Sequence, residues 1–125
     1  MMDYKNRNVL ALAYVGDAIY EIYIRKFLID KGIEKVNDLQ KQATEYVSAR
    51  GQSKYLKKML DGNYLLDDEI QVVMRARNHK TNSHPKNTDI VTYKHATGLE
   101  ALIGWLYLSE NISRVEEIMN YILEV

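Results

Sequence analysis

Residues 10–25, LALAYVGDAIYEIYIR, carry apolar side chains at helical spacing over a stretch too long for one strand. The pattern extends over 8–31 and predicts a helix that Gly32 ends. At about 100° per residue, Asp17 shares a face with Leu10, Ala13, Tyr14, Tyr20, Glu21, Ile24 and Leu28. The opposite side carries Leu12, Val15, Ile19 and Ile22. A helix apolar nearly all round leaves no rotation that takes Asp17 into open water. The expectation is a buried carboxylate, with Glu21 one turn along, that needs something positive beside it.

The remaining spacing is helical as well. Asn37 with Gln40 resembles a capping box opening a helix over 38–60, in which Gly51 marks a break point. Asp67 is placed to cap a helix over 68–78. Residues 79–91, with the single Pro85, read as a loop before a helix over 92–109. Ser113 with Glu116 opens a last helix that reaches 123. No alternating strand, repeat or linker interrupts this pattern. The fold class is therefore all-α: a single compact helical domain of about five helices over residues 1–125, a length that suits one core.

Cysteine is absent, which excludes disulfides, thiol catalysis and Cys-based zinc sites and fits a reducing, cytoplasmic setting. No apolar run is long enough for a membrane span, and the polar start MMDYKNRN does not read as a secretory signal. The 17 basic and 17 acidic residues balance, but unevenly along the chain. Residues 75–95 hold Arg75, Arg77, Lys80, Lys86 and Lys94 against Asp89 alone, with His79, His84 and His95 besides. That segment is a candidate surface for a polyanion.

A second acid sits in an apolar run. HATGLEALIGWLYL places Glu100 on a face with Tyr93, Ala96, Thr97, Ile103, Gly104 and Tyr107. Gly104 lies one turn from Glu100, and Gly16 precedes Asp17. Glycine inside a helix costs about 1 kcal/mol against alanine, so each predicts a close backbone approach. The economical arrangement crosses the two helices at their glycines and joins Asp17 to Glu100. Two chemistries fit such acids. One is buried ion pairing to Arg75, Arg77, Lys94 or His95. The other is a hard divalent cation held by carboxylates and waters.

YVGDAIYE and GLEALIGWLYL together resemble the two signature helices of the ribonuclease III catalytic domain, E-x-x-x-GD and D-x-x-EA-x-x-GA-x-Y-L. The likeness is closest to the short Mini-III branch, which lacks a double-stranded RNA-binding domain. It covers essentially the whole chain, including RARN, PKNTD and TYKHAT. The resemblance implies an all-α homodimer that cuts double-stranded RNA with Mg²⁺, or Mn²⁺ in its place, leaving 5′-phosphate and 3′-hydroxyl ends. It further implies precursor 23S ribosomal RNA as substrate and makes a large-subunit ribosomal protein a candidate partner.

Carried over residue by residue, Asp17 and Glu100 match the family's metal-ligating aspartate and glutamate. The family glutamate four residues before Asp17 is Ala13 here, and the aspartate three before Glu100 is Thr97. Glu21 and Thr97 are candidates for an outer shell; for Glu21, an ion pair with Arg25 competes. Arg75, Arg77, Asn78, Lys80, Lys86 and Asn87 are the candidate RNA-binding residues, since arginine and lysine can meet phosphates of an A-form duplex. Lys54, Lys57 and Lys58 form a lesser patch, readable as a solvated helix face. Tyr14, Tyr20 and Tyr23 suit either a dimer seam or core packing. The competing function is a catalytically silent fold of this type that binds structured RNA in ribosome assembly; a helical protein-interaction module is a third.

Overall fold

A computed structural model describes residues 3–80, 86 and 88–125. After a 3-10 turn (Tyr4–Asn6), α1 runs Val9–Asp30. The Asn8 side chain starts it by accepting from the Leu10 and Ala11 amides. It ends at Gly32, whose φ of +92° is the left-handed conformation that glycine adopts without strain. Then follow α2 (Val36–Val47), α3 (Ala49–Asp61), α4 (Asp67–Arg77), α5 (Ile90–Leu108) and α6 (Ile112–Leu123). Among the described residues there is no strand, so the fold is all-α as expected.

Among the described residues there are six α-helices rather than five, because the predicted 38–60 helix is two. The break falls at Ser48, not Gly51. Ser48 is extended (φ −65°, ψ 156°), and its hydroxyl accepts from the Gly51 amide to start α3. Gly51 serves the junction differently: a Cβ there would lie 2.1 Å from the Glu45 carbonyl oxygen. Three expected caps also differ. α2 starts at Val36 without a side-chain cap. At α4 the Glu69 carboxylate accepts from the Leu66 amide, in place of a cap by Asp67. Asn111, rather than Ser113, caps α6 by accepting from the Arg114 amide.

α5 is the central helix, packed against α1, α3 and α4. Tyr20, Ile24 and Leu28 of α1 meet Leu56 and Met59 of α3, Leu99, Leu102 and Ile103 of α5, and Ile118 and Met119 of α6 in one core. The α1–α5 crossing has no room for side chains. A Cβ on Gly16 would lie 1.7 Å from the Glu100 carbonyl oxygen, and one on Gly104 would lie 1.9 Å from that of Leu12. The expected crossing at these two glycines is therefore present, backbone against backbone.

α1 itself corrects one expectation. Its inner face buries Val9, Leu12, Ala13, Gly16, Tyr20, Ile24 and Leu28. Leu10, Tyr14, Ile22 and Ile29 are exposed, Tyr14 by 83%. Asp17 is exposed too. An all-round apolar helix here has two apolar faces, and the chain's own core covers one of them.

The buried ion pair of the fold lies elsewhere. Glu69 of α4, 1% exposed, receives Arg114 of α6 through Nε at 2.8 Å and Nη2 at 2.9 Å. Nη2 also donates to the Tyr64 carbonyl, so the guanidinium ties α6 to the α3–α4 connection.

Two stability measurements follow from this packing. Gly16→Ala should cost about 3 kcal/mol, the upper end for overpacking, because the obstruction is backbone that cannot move aside. Gly98→Ala, whose Cβ would sit 3.3 Å from a Val73 methyl, should cost far less; urea midpoints of the two variants check the contrast. Arg114→Met should cost about 3–5 kcal/mol by leaving Glu69 buried without its cation, a loss visible in the same titration.

Candidate functional site

Asp17 and Glu100 come together where α1 crosses α5. Gly16 presses on the Glu100 backbone, which sets the neighbouring Asp17 side chain beside the Glu100 carboxyl, within hydrogen-bonding reach. Glu100 is half-buried and Asp17 exposed, so the pair forms a shallow site with one acid at its floor and one at its mouth. Burial, followed by the hydrogen bond and charge of Asp17, pushes the Glu100 carboxyl up to about 8, while a hydrogen bond from Gln52 acts in the opposite direction.

Among the described residues neither acid has an ion-pair partner. The four cations expected as alternatives, Arg75, Arg77, Lys94 and His95, therefore do not neutralise the pair. No third acid or histidine among the described residues joins it in a metal-binding cluster. Ala13 is buried in the inner face of α1. Thr97 is buried as well, and its hydroxyl donates to the Tyr93 carbonyl at 3.0 Å, one turn back on its own helix. Glu21 pairs with Arg25 at 2.6 Å on the outside of α1, the alternative already open to it. The donor set is two carboxylates, a hard and anionic pair suited to Mg²⁺ or Mn²⁺ with the rest of the coordination left to water and phosphate.

The basic residues divide. The Arg75 guanidinium donates to the Lys5 and Arg7 carbonyls and so holds the N-terminal turn against α4. Arg77, Asn78, Lys80 and Lys86 are exposed. Asn87 and His84 lie outside the described residues. Arg77 acts on His95, whose pKa is lowered by burial first, then by the positive charges of Arg77 and Lys57. His95 in turn lies 3.4 Å from the Ser53 hydroxyl, so Lys57 and Ser53 of α3 share one face with Arg77 of α4 and His95 of α5. Lys58 is engaged elsewhere, with Glu124 at 3.2 Å and over the Tyr121 ring. Lys54 lies over the Tyr55 ring. His79 is half-buried near Thr97 and Lys94.

The tyrosines divide likewise. Tyr20 is fully buried and donates to the Tyr46 carbonyl at 2.6 Å, which removes it from any seam. Burial, with Tyr55, Tyr46 and Glu100 around it, pushes its pKa up, so it stays a neutral donor. Tyr14 is fully available, and Tyr23 is half-buried.

Sequence reasoning missed Gln52. It is 3% exposed, and its amide donates to Oε2 of Glu100 at 3.4 Å. One signal was available: Gln52 shares helical spacing with Leu56 and Met59, the core face of α3.

This arrangement has known relatives. The family model described as the ribonuclease III domain matches residues 10–111. A Mini-ribonuclease 3 of Enterococcus faecalis is 48% identical over 99% of this chain and 94% of its own length. One of Streptococcus pneumoniae is 40% identical over 99% and 97%, and one of Staphylococcus aureus 36% identical over 94% and 88%. A crystal structure of a Fusobacterium nucleatum protein superposes with a TM-score of 0.85 at 34% identity, covering 99% of this chain and 98% of that one. The crossing at Gly16 and Gly104 and both acids lie inside the matched region, and the chain belongs to the ribonuclease III family, with the Mini-ribonuclease 3 proteins among its relatives.

Proposed function

We propose that this chain is a divalent-metal-dependent endoribonuclease that hydrolyses double-stranded RNA, with Asp17 and Glu100 as the metal ligands. The observation that carries the reading is the acid pair itself: two carboxylates held within hydrogen-bonding reach, with no cation paired to either among the described residues. Two carboxyl groups so placed must hold a proton between them or take up a positive ion, and the donor oxygens suit Mg²⁺. When bound, such an ion supplies charge stabilisation at the scissile phosphate and a water of lowered pKa. The chain's own side chains supply the frame. Glu100 is anchored against α3 through Gln52, and Asp17 stands exposed at the opening. Hydrolysis joins a water oxygen to phosphorus and releases the 3′-oxygen, leaving 5′-phosphate and 3′-hydroxyl ends.

RNA phosphates would meet the face of α3, α4 and α5 that carries Lys57, Arg77 and His95; Asn78, Lys80 and Lys86 are exposed and remain candidates for further contacts, and Asn87 is kept on its sequence alone. Arg75, committed to the Lys5 and Arg7 carbonyls, would contribute charge more than contact. Two active sites, one per strand, require a second copy. The exposed apolar face of α1, with Tyr14, Leu10, Ile22 and Ile29, is the surface we assign to that homodimer. Precursor 23S ribosomal RNA as substrate, with a large-subunit ribosomal protein as helper in the cytoplasm, completes the reading. No described helix is long and apolar enough to cross a membrane.

Alanine at 13 and threonine at 97 favour one rival, a silent fold that binds structured RNA without cutting it. Duplex RNA incubated with the purified protein in Mg²⁺ or EDTA separates the two: metal-dependent cleavage supports the enzyme, and binding without cleavage supports the rival. Asp17→Asn and Glu100→Gln should each lower cleavage by roughly 10²–10³-fold or more while duplex binding persists. Near-normal cleavage by either would remove that residue from the site. Arg77→Ala and Lys57→Ala should each reduce the slope of log affinity against log salt by up to about 0.9, a figure calibrated on B-form DNA.

The metal-free protein should also show the strain of the pair. Between the usual 4.5 of a glutamate and about 8, folded Glu100 keeps a proton that the unfolded chain releases. Stability therefore falls as pH rises through that window. Thermal melts in EDTA should show this fall in the native protein and a flatter profile in Glu100→Gln.

A further inference from the structure

We infer that Gln52 is the positioning residue for Glu100, its buried side-chain amide holding one carboxylate oxygen so that the carboxyl stays turned toward Asp17. The inference rests on the reading of Asp17 and Glu100 as metal ligands and adds a third side chain, from a third helix, to that site.

The burial pattern isolates Gln52. Three polar or charged side chains are buried among the described residues: Gln52, Glu69 and Thr97. Glu69 is satisfied by Arg114 and the Leu66 amide, and Thr97 by the Tyr93 carbonyl. Both are structural contacts. Gln52 spends its donor on Glu100, and among the described residues no other side chain donates to that carboxylate. A buried amide needs a partner, since leaving it unmade costs about 1–3 kcal/mol. An aliphatic side chain of the same size would fill the space between α3 and α5 without that demand. The amide is therefore accounted for by what it holds.

The backbone around Gln52 is set to deliver it. The Ser48 break and the tight seat of Gly51 on the Glu45 carbonyl fix the first turn of α3, one residue before Gln52. One turn later Leu56 packs into the α5 groove at Gly98, where an added Cβ would lie 3.5 Å from its Cδ2. Ser53 reaches His95 on the same side. Three successive contacts thus register α3 along α5, and Gln52–Glu100 is the one that ends on the acid pair. The side chain also suits the chemistry. An NH₂ group donates to a carboxylate oxygen without adding charge, so it orients Glu100 without competing for a cation, as lysine would compete.

The test measures metal binding without RNA or turnover. Free Mn²⁺ is followed by electron paramagnetic resonance while it is titrated onto the native protein and onto Gln52→Leu, Gln52→Met and Asp17→Asn. The two Gln52 variants keep the volume and remove the donor. They should bind Mn²⁺ at least about tenfold more weakly, the usual scale for a group that orients a ligand, and should need correspondingly more Mg²⁺ for half-maximal cleavage. Duplex affinity in EDTA should stay within twofold of native. Mn²⁺ affinity within twofold of native in a folded Gln52 variant, alongside loss of binding in Asp17→Asn, overturns the inference and leaves the acid pair standing. Native affinity in Asp17→Asn overturns the acid-pair reading and the inference with it. Failure of both Gln52 variants to fold would make the amide a core group and overturn the inference as well.

Discussion

The site depends on one contact, the backbone approach of α1 to α5 at Gly16 and Gly104. Each glycine faces a carbonyl of the other helix at a distance that no side chain could share. The approach does two things at once. It brings the two helices near enough for Tyr20, Ile24, Leu102 and Ile103 to close one core over α3 and α6. It also brings Asp17 and Glu100, which flank those glycines, within reach of each other. Glycine in a helix costs about 1 kcal/mol each, and that cost is offset by packing that alanine would forbid. Stability and site geometry therefore come from the same crossing.

The acid pair works against the fold in the absence of a cation. Burial and the neighbouring Asp17 raise Glu100 to about 8, so near neutral pH the metal-free chain holds a proton on Glu100 that the unfolded chain would release and that a divalent ion would displace. The rest of the electrostatics is arranged differently. Glu69, more deeply buried than Glu100, has a bidentate arginine and a backbone amide to itself. The contrast separates an acid whose charge is settled within the chain from acids left open to something outside it. The cations Arg77 and Lys57, grouped around a His95 whose own charge they and burial disfavour, are not paired with the acids among the described residues and lie on the face we assign to a phosphate backbone.

Much of this was legible before any coordinates. The length of α1, its stop at Gly32 and the meeting of the two glycines follow from local periodicity and from what glycine costs in a helix. What was not legible has a physical reason in each case. Periodicity reports that α1 is apolar on two sides but not whether one chain covers both, so Asp17 read as buried and is exposed. Ser48 is compatible with helix, and nothing in its local spacing tells that it turns extended there and caps α3, with Gly51 packed against the Glu45 carbonyl of α2. Glu69 and Arg114 are 45 residues apart, and nothing in either segment names the other. Gln52 sits in a stretch that looks like a polar surface helix; only its spacing with Leu56 and Met59 placed it inside. Part of the basic loop, including Asn87, lies outside the described residues.

The central claim is that the crossing of α1 and α5 builds a divalent-cation site from Asp17 and Glu100. Anomalous diffraction from crystals grown or soaked with Mn²⁺ tests it most directly. The account predicts a manganese peak between the two carboxylates, with oxygen distances of about 2 Å and the remaining positions filled by water. Manganese bound elsewhere, with the Asp17–Glu100 pair left without a peak at saturating metal, would contradict it.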